Sequence, residues 1–392
     1  MKEVLLIPVF LLLLAFRVCG EGGDADVNSL FDAPASDTVG VVSTASAIDR
    51  FVREEGIRIT GDFNVSGGYA YAWMDASGSA YFSLTSNLGI EARPDSSLRF
   101  TANVASAFPT WTPTVGEVFC DYTLLDTAFF RIGRFGTTWG NARIYSIDNL
   151  PGRVPVEVHP LNSTLDSEGL SLKADVPFGS NSVSAIIMER NGYHKDPANP
   201  TPSELGYGLL ADFVWGRTEF SLGGFYQAYL QPRVLITAKT SFFGVDLSGE
   251  CVLAYVESTG LAPSWNAGIY WEQADVNLSA YGEYVYNADS AAAIGTEPAS
   301  GYPPGHSVAL ILGLKEIFGS KIKAGLQWQH AFADGSGFFA PGVSIEAVPH
   351  VVIILGVPMY YGPIDGYLAA VNPDPQKRRM AIALKVTVSG EF

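Results

Sequence analysis

The chain has 392 residues, 16% of them charged, 12% aromatic and 41 of them glycine, with a formal net charge of −16. So few charges among so many aromatics and glycines suit a barrel half-solvated by lipid or a large secreted β-sandwich, and are too low in charge for an ordinary soluble domain. The acidic balance argues against nucleic acid as a partner.

Residues 1–20 read as a secretory signal. Lys2 begins it, Val4 to Phe16 is apolar and short for a spanning helix, and Gly20 ends it. Lipidation at Cys19 is the rival reading, with Arg17 beside it as an unfavourable context. Residues 21–56 form an acidic N-terminal segment with eight acids against two bases. It is expected to be a periplasmic leader or a plug. Beyond it no apolar run reaches the length of a spanning helix, so a membrane protein of this sequence has to cross with strands closed into a barrel.

Alternation of apolar and polar residues starts at Ile57 and runs to the C-terminus. Ile57, Ile59, Phe63 and Val65 share one parity while Arg58, Thr60, Asp62 and Asn64 share the other. A period of two over this length predicts a strand with one apolar and one polar face. Similar segments recur at 79–93, 97–107, 115–124, 126–134, 166–176, 181–190, 204–215, 217–229, 232–242, 244–257, 263–273, 275–286, 305–316, 321–331, 339–348, 350–360 and 378–392. The expected fold is all-β, a transmembrane antiparallel up-and-down meander of about 16–18 strands occupying 57–392. The links alternate in length. Tight breaks at Pro94–Ser96, Leu125, Pro177–Ser180, Gly216, Phe243, Ala274, Ile317–Ser320 and Pro349 oppose longer ones such as Phe135–Leu165, Asn191–Ser203, Ser258–Ala262, Asn287–Pro304 and Tyr361–Lys377. Short turns on one side of a bilayer and long loops on the other are the layout of an outer-membrane barrel. Aromatics near strand ends, such as Tyr69, Tyr71, Tyr226, Tyr284, Tyr286 and Tyr361, suit a membrane-interface girdle.

The polar parity carries mixed charges, including Arg99, Arg131 and Lys173 against Glu117, Asp121, Glu250 and Glu283. A polar, mixed wall fits a water-filled passage. Cys120 and Cys251 fall on apolar parities, which favours two separate thiols over a disulfide. No zinc-protease, phosphate-loop or nucleophile-elbow motif is present, and the five histidines have no ligand spacing. No catalytic residue, metal or cofactor is therefore expected, and the chain is not read as an enzyme. Sequons at Asn64, Asn162 and Asn277 read as chance matches.

The last strand closes on Gly390, Glu391 and Phe392, with Leu384, Val386 and Val388 at two-residue steps behind it. This resembles the C-terminal strand of bacterial outer-membrane β-barrel proteins, and the resemblance implies that the barrel-assembly machinery reads Phe392, Val388, Val386 and Leu384. The stretch Phe130-Arg131-Ile132-Gly133-Arg134 followed by Trp139-Gly140 resembles porins in which a Gly-Arg pair precedes a long third loop folded into the pore. By that resemblance the link 135–165 constricts the lumen, and Arg131, Arg134, Arg143, Asp148, Arg153 and Glu157 line the passage together with Arg99, Glu117 and Asp121. The resemblance also implies an outer-membrane location among its lipids, extracellular long loops, periplasmic termini, small hydrophilic solutes and a homotrimer. The alternatives are a fatty-acid-type transporter with an N-terminal plug and a surface adhesin on a barrel scaffold.

Overall fold

The computed structural model describes residues 57–72, 76–108, 113–137, 139–145, 168–190, 202, 205–227, 232–256, 260–288, 305–363, 366–368 and 380–391. The signal segment 1–20, the acidic segment 21–56, Asp148, Arg153, Glu157 and Phe392 lie outside the described residues.

The strands are β1 (Ile57–Ala72), β2 (Ser77–Ala92), β3 (Leu98–Ala107), β4 (Thr114–Leu124), β5 (Ala128–Arg134), β6 (Glu168–Phe178), β7 (Asn181–Arg190), β8 (Gly206–Trp215), β9 (Thr218–Tyr226), β10 (Arg233–Phe242), β11 (Val245–Val256), β12 (Gly260–Gln273), β13 (Leu278–Asn287), β14 (Gly305–Leu314), β15 (Ile322–Ala331), β16 (Gly337–Val348), β17 (Val351–Gly356), β18 (Met359–Tyr361) and β19 (Ala381–Glu391). From β1 to β16 each strand pairs antiparallel with its neighbours in the chain, β17 and β18 both pair with β16, β17 pairs with β19, and β19 returns to pair with β1. The result is a closed antiparallel barrel of 18 staves, without an open edge. No helix of the described residues is long and apolar enough to cross a membrane.

β17 and β18 are two halves of one stave. Their register on β16 is unbroken, from Gly342 opposite Gly356 to Phe339 opposite Met359. Pro358 interrupts the ladder because it has no N–H to donate. Its carbonyl still accepts from the Ala381 amide at 3.0 Å. The segment expected to run unbroken over 350–360 is thus split at Val357–Pro358. A second difference lies at β12, which starts at Gly260, so the link expected at Ser258–Ala262 is short.

The alternation sorts the wall. Large apolar side chains on the outward parity are exposed, Ile59, Phe63, Ile132, Leu209, Leu222 and Ile269 among them. Small and polar residues on the inward parity are buried, among them Ser66, Thr237, Asn266 and Ser279. This inverts the arrangement of a water-soluble protein, as a bilayer requires. Leu384, Val386 and Val388 stand on the outward parity of β19, opposite Tyr69, Gly67 and Val65 across the closing seam. Cys120 and Cys251 are free thiols on outward positions. At the tight-turn rim, the central residues Leu125 and Asp126 have φ of 50° and 55°, and Phe243 and Gly244 have φ of 50° and 76°. Paired left-handed residues turn a hairpin with the twist that flanking strands need.

Candidate pore interior

The structure brings together three of the sequence-predicted charges on the inner face of β3, β4 and β5. Asp121 stands opposite Arg99 on one side and Arg131 on the other. Arg99 Nε donates to Asp121 Oδ2 at 2.9 Å, and Arg99 Nη2 also reaches that oxygen. Arg131 donates through Nε to Oδ1 at 2.7 Å and through Nη2 to Oδ2 at 3.2 Å. One carboxylate thus holds two guanidinium groups side by side, leaving a local excess of positive charge. The row continues to Lys173 on β6, opposite Arg131, whose ammonium lies 3.1 Å from Asp175. These groups keep about a third of their side-chain surface exposed, 35% for Arg99 and 33% for Arg131. Arg131 also lies over the Phe119 ring, 4.1 Å from its centroid, which orients the guanidinium plane.

After β5 the chain turns into the barrel. Gly133 has φ of 139°, and a Cβ there would strike the Val118 carbonyl oxygen and the Phe119 Cα, so only glycine permits this approach. Phe135, Trp139 and Tyr145 are buried against inward residues of β7 to β14: Ile186, Met188, Leu210, Phe225, Leu235, Val252, Val285 and Ala309. Gly208 makes room for the indole, since a Cβ there would sit 2.6 Å from the tip of Trp139.

Two buried carboxylates receive the backbone of this segment. Glu283 on β13 is 2% exposed and Glu250 on β11 is 4% exposed. Glu283 Oε1 accepts the Tyr145 amide at 2.7 Å, and Oε2 accepts those of Arg143 and Ile144, each at 3.2 Å. Tyr281 donates its hydroxyl to the same Oε2. Glu250 Oε1 accepts the Asn141 amide. Asn266 on β12 bridges the two, donating to Glu250 Oε2 at 3.0 Å and to the Tyr145 carbonyl at 3.1 Å. Glu117 on β4 accepts the Gly136 amide at 2.9 Å. Arg143 lies over the Tyr270 ring, 4.5 Å from its centroid, on the wall across from β5.

The predicted residues therefore divide. Arg99, Asp121 and Arg131 form one cluster. Glu117 secures the start of the inward turn, and Arg143 sits at its far end. Arg134 stands opposite Val118 in register, directly after Gly133 with its φ of 139°, and its Nε is buried. Asp148, Arg153 and Glu157 are outside the described residues.

Sequence reasoning took the whole inner wall as polar and mixed, and β7 to β11 depart from that. Ile186-Ile187-Met188, Leu209-Leu210 and Val234-Leu235-Ile236 are continuous apolar runs, the mark of a strand covered on both faces. They signalled that something packs inside. Glu250 and Glu283 were legible only as two acids among several on the inward parity. Among the described residues no group of three or more His, Cys, Asp or Glu side chains is placed to hold a metal ion.

No protein-family model matches the chain, and no curated protein matches it. Solved structures do. Pseudomonas aeruginosa OpdO superposes with a TM-score of 0.53 at 8% identity, covering 86% of this chain and 97% of that one. Pseudomonas aeruginosa OpdQ gives 0.52 at 7% identity, covering 86% and 98%. A mutant of the Rh. blastica porin gives 0.46 at 11% identity, covering 85% and 100%. At identities this low the likeness is one of fold, and in fold the chain resembles the bacterial outer-membrane porins without matching one particular member.

Proposed function

We propose that this chain is an outer-membrane channel through which small hydrophilic solutes diffuse passively, with the link 135–165 narrowing the lumen. Eighteen staves enclose enough space for an aqueous passage. The observation that carries the reading is Glu283 holding the amides of Arg143, Ile144 and Tyr145 across the barrel from β5. A segment anchored there reduces the open cross-section on the side of β7 to β14 and leaves β1 to β6 as the wetted wall.

Selection in such a passage is steric and electrostatic, with no chemical step. Arg99, Asp121 and Arg131 present fixed charges to the wetted side, and charged rings at close quarters set ion preference. Glu117, Arg134 and Arg143, with Asp148, Arg153 and Glu157 further along the link, complete the proposed lining. The barrel sits among outer-membrane lipids with its long links extracellular and its termini periplasmic. The C-terminal strand through Phe392 is its signal to the assembly machinery, and three copies form the working unit.

The test is a planar-bilayer recording of the purified, folded protein. Stepwise ohmic conductance is expected, and a folded barrel that conducts nothing at any voltage would end this reading. Liposome swelling with uncharged sugars of increasing size gives the cut-off, which should rise when residues 135–145 are replaced by a short Gly-Ser linker.

A further inference from the structure

The outer face of the barrel carries one polar strip, over β12 to β18 beside the long links. On β12 to β14, Trp265 meets the rings of Tyr284 at 5.2 Å and Tyr286 at 6.3 Å, and Tyr286 meets His306 at 4.8 Å. On β15 and β18, His330 stacks against Trp328 and Tyr361 with ring planes within 17°. Phe332 joins the two groups: its amide donates to the His306 carbonyl at 2.9 Å and its ring lies 4.7 Å from His330. The alternate residues Val285, Ser307 and Ala331 are fully buried inside, so these rings stand on the lipid side.

The hydrogen bonds within the strip leave donors pointing nowhere. Trp328 Nε1 donates to the Tyr361 hydroxyl at 2.9 Å, and that hydroxyl lies 3.1 Å from His330 Nδ1. An indole can only donate, so the Tyr361 proton goes to His330 Nδ1 and the imidazole carries its own hydrogen on Nε2. Tyr361 reaches His330 across a whole stave because Gly337 lies between them, where a Cβ would strike the Tyr361 ring. His306 Nδ1 pairs with the Tyr284 hydroxyl in the same way. Among the described residues no hydrogen bond engages the Nε2 of either imidazole, the Tyr286 hydroxyl or the Trp265 indole. Donors without acceptors are costly on a face turned to lipid.

We propose that this strip holds the headgroup of one phosphorylated glycolipid, whose phosphate oxygens accept from His306 and His330 and whose sugar lies on the Trp265 and Tyr286 rings. The chemistry of the strip selects that occupant. It offers donors and ring faces, and the outward positions of β12 to β18 carry no aspartate or glutamate to repel an anion. Below it the outward row turns wholly apolar at Leu310, Leu312 and Leu326, which suits acyl chains and sets the strip at headgroup height. From β12 to β15 it crosses three ladder steps, about 14 Å at 4.7–4.9 Å each. That width suits a phosphorylated disaccharide better than a single glycerophosphate. With the long links extracellular, as proposed above, the lipid belongs to the outer leaflet.

The experiment uses the full chain, folded in a neutral detergent and freed of co-purifying lipid, with bound lipid counted by native mass spectrometry. The probe is lipid A, an acylated glucosamine disaccharide bisphosphate. One copy per barrel should be retained, about tenfold more tightly than the same glycolipid with its phosphates removed. H306A/H330A should lose that preference, while H306Q/H330Q, which keeps an N–H donor at both positions, should retain most of it. Y226F/Y255F, on outward positions of β9 and β11, should bind as the parent does. Variants are compared as barrels that keep the heat-dependent gel shift, and the comparison of the two glycolipids on the unaltered chain needs no variant to fold. Equal retention of both glycolipids overturns the proposal, and so does an unchanged preference in folded H306A/H330A. Phosphatidylglycerol held as tightly as lipid A overturns the choice of a glycolipid. Conductance is read separately: selective retention by a barrel that never conducts overturns the channel reading and leaves the lipid site standing.

Discussion

Glu283 Oε1 accepts the Tyr145 backbone amide at 2.7 Å, joining the middle of β13 to a segment that leaves the wall at β5. Glu283 is buried and takes two further amides through Oε2, so its charge is balanced by N–H dipoles where water is excluded. Hydrogen bonds to a charged group contribute about 1.5–3 kcal/mol each. Glu283→Ala leaves the Ile144 and Tyr145 amides without this acceptor and the Arg143 amide with only the Tyr281 hydroxyl at 3.4 Å, and should release the segment. Single-channel conductance is expected to rise, with more current noise, while the barrel stays folded by gel shift. Unchanged conductance and unchanged protease resistance of 135–145 would contradict the anchoring role.

The Asp121 carboxylate separates Arg99 from Arg131. Asp121→Asn removes one negative charge and leaves two guanidinium groups facing the water. For a charge about 6 Å from a passing ion in water, the Coulomb energy is about 0.7 kcal/mol. That corresponds to roughly a threefold shift in relative ion occupancy. Reversal potentials in a salt gradient should move toward the anion equilibrium potential, and Arg131→Ala should move them the other way. The effect should shrink at high ionic strength, where the Debye length falls to about 3 Å.

Trp139 rests where Gly208 offers no side chain. Gly208→Val places methyl groups in the volume of the indole and beside Ile186 Cγ2, which a Cβ would already approach to 2.8 Å. Overpacking of this kind costs about 1–3 kcal/mol. Because the strand itself is held by ladders on both sides, the segment should yield rather than the barrel. Limited proteolysis should cut within 135–145 faster than in the parent, and Trp139→Ala should produce the same pattern.

Asp334 joins two of the long links. Its Oδ1 accepts the Ser336 amide at 2.8 Å and its Oδ2 accepts the Tyr367 amide at 2.6 Å, while Leu368 N donates to Ser336 Oγ at 3.1 Å. Burial alone would raise its pKa, but the hydrogen bonds from Ser336 and Tyr367 together outweigh it and hold the carboxyl below its usual range. A carboxyl depressed in the folded state stabilises the contact above the ordinary carboxylate pKa of about 3.9 and loses that contribution as pH falls through the lower folded value. The protection of the Tyr367 and Leu368 amides, taken relative to their intrinsic exchange rates, should therefore be high at neutral pH and fall only below about pH 4. Asp334→Asn should give fast exchange at Tyr367 across the whole range.

The strand pattern was readable because each stave meets two solvents. Ile57, Ile59 and Phe63 face one side, Arg58, Thr60 and Asp62 the other, and a period of two needs no tertiary information. Pro358 was visible as well, but whether it ends a stave or merely interrupts it depends on register with β16. Parity could place Arg99, Asp121 and Arg131 on one face. It could not say that one carboxylate holds both arginines, because that requires β3, β4 and β5 in their actual offsets.

By itself the sequence determined the chain's class, its staves and the side of the wall on which each residue stands, since all three follow from local alternation and turn residues. Only the tertiary structure decided where the chain after β5 goes. That path is set by Glu250, Glu283 and the apolar faces of β7 to β11, which lie far from it in sequence and acquire a shared purpose only when the barrel closes and brings them opposite Phe135, Trp139 and Tyr145.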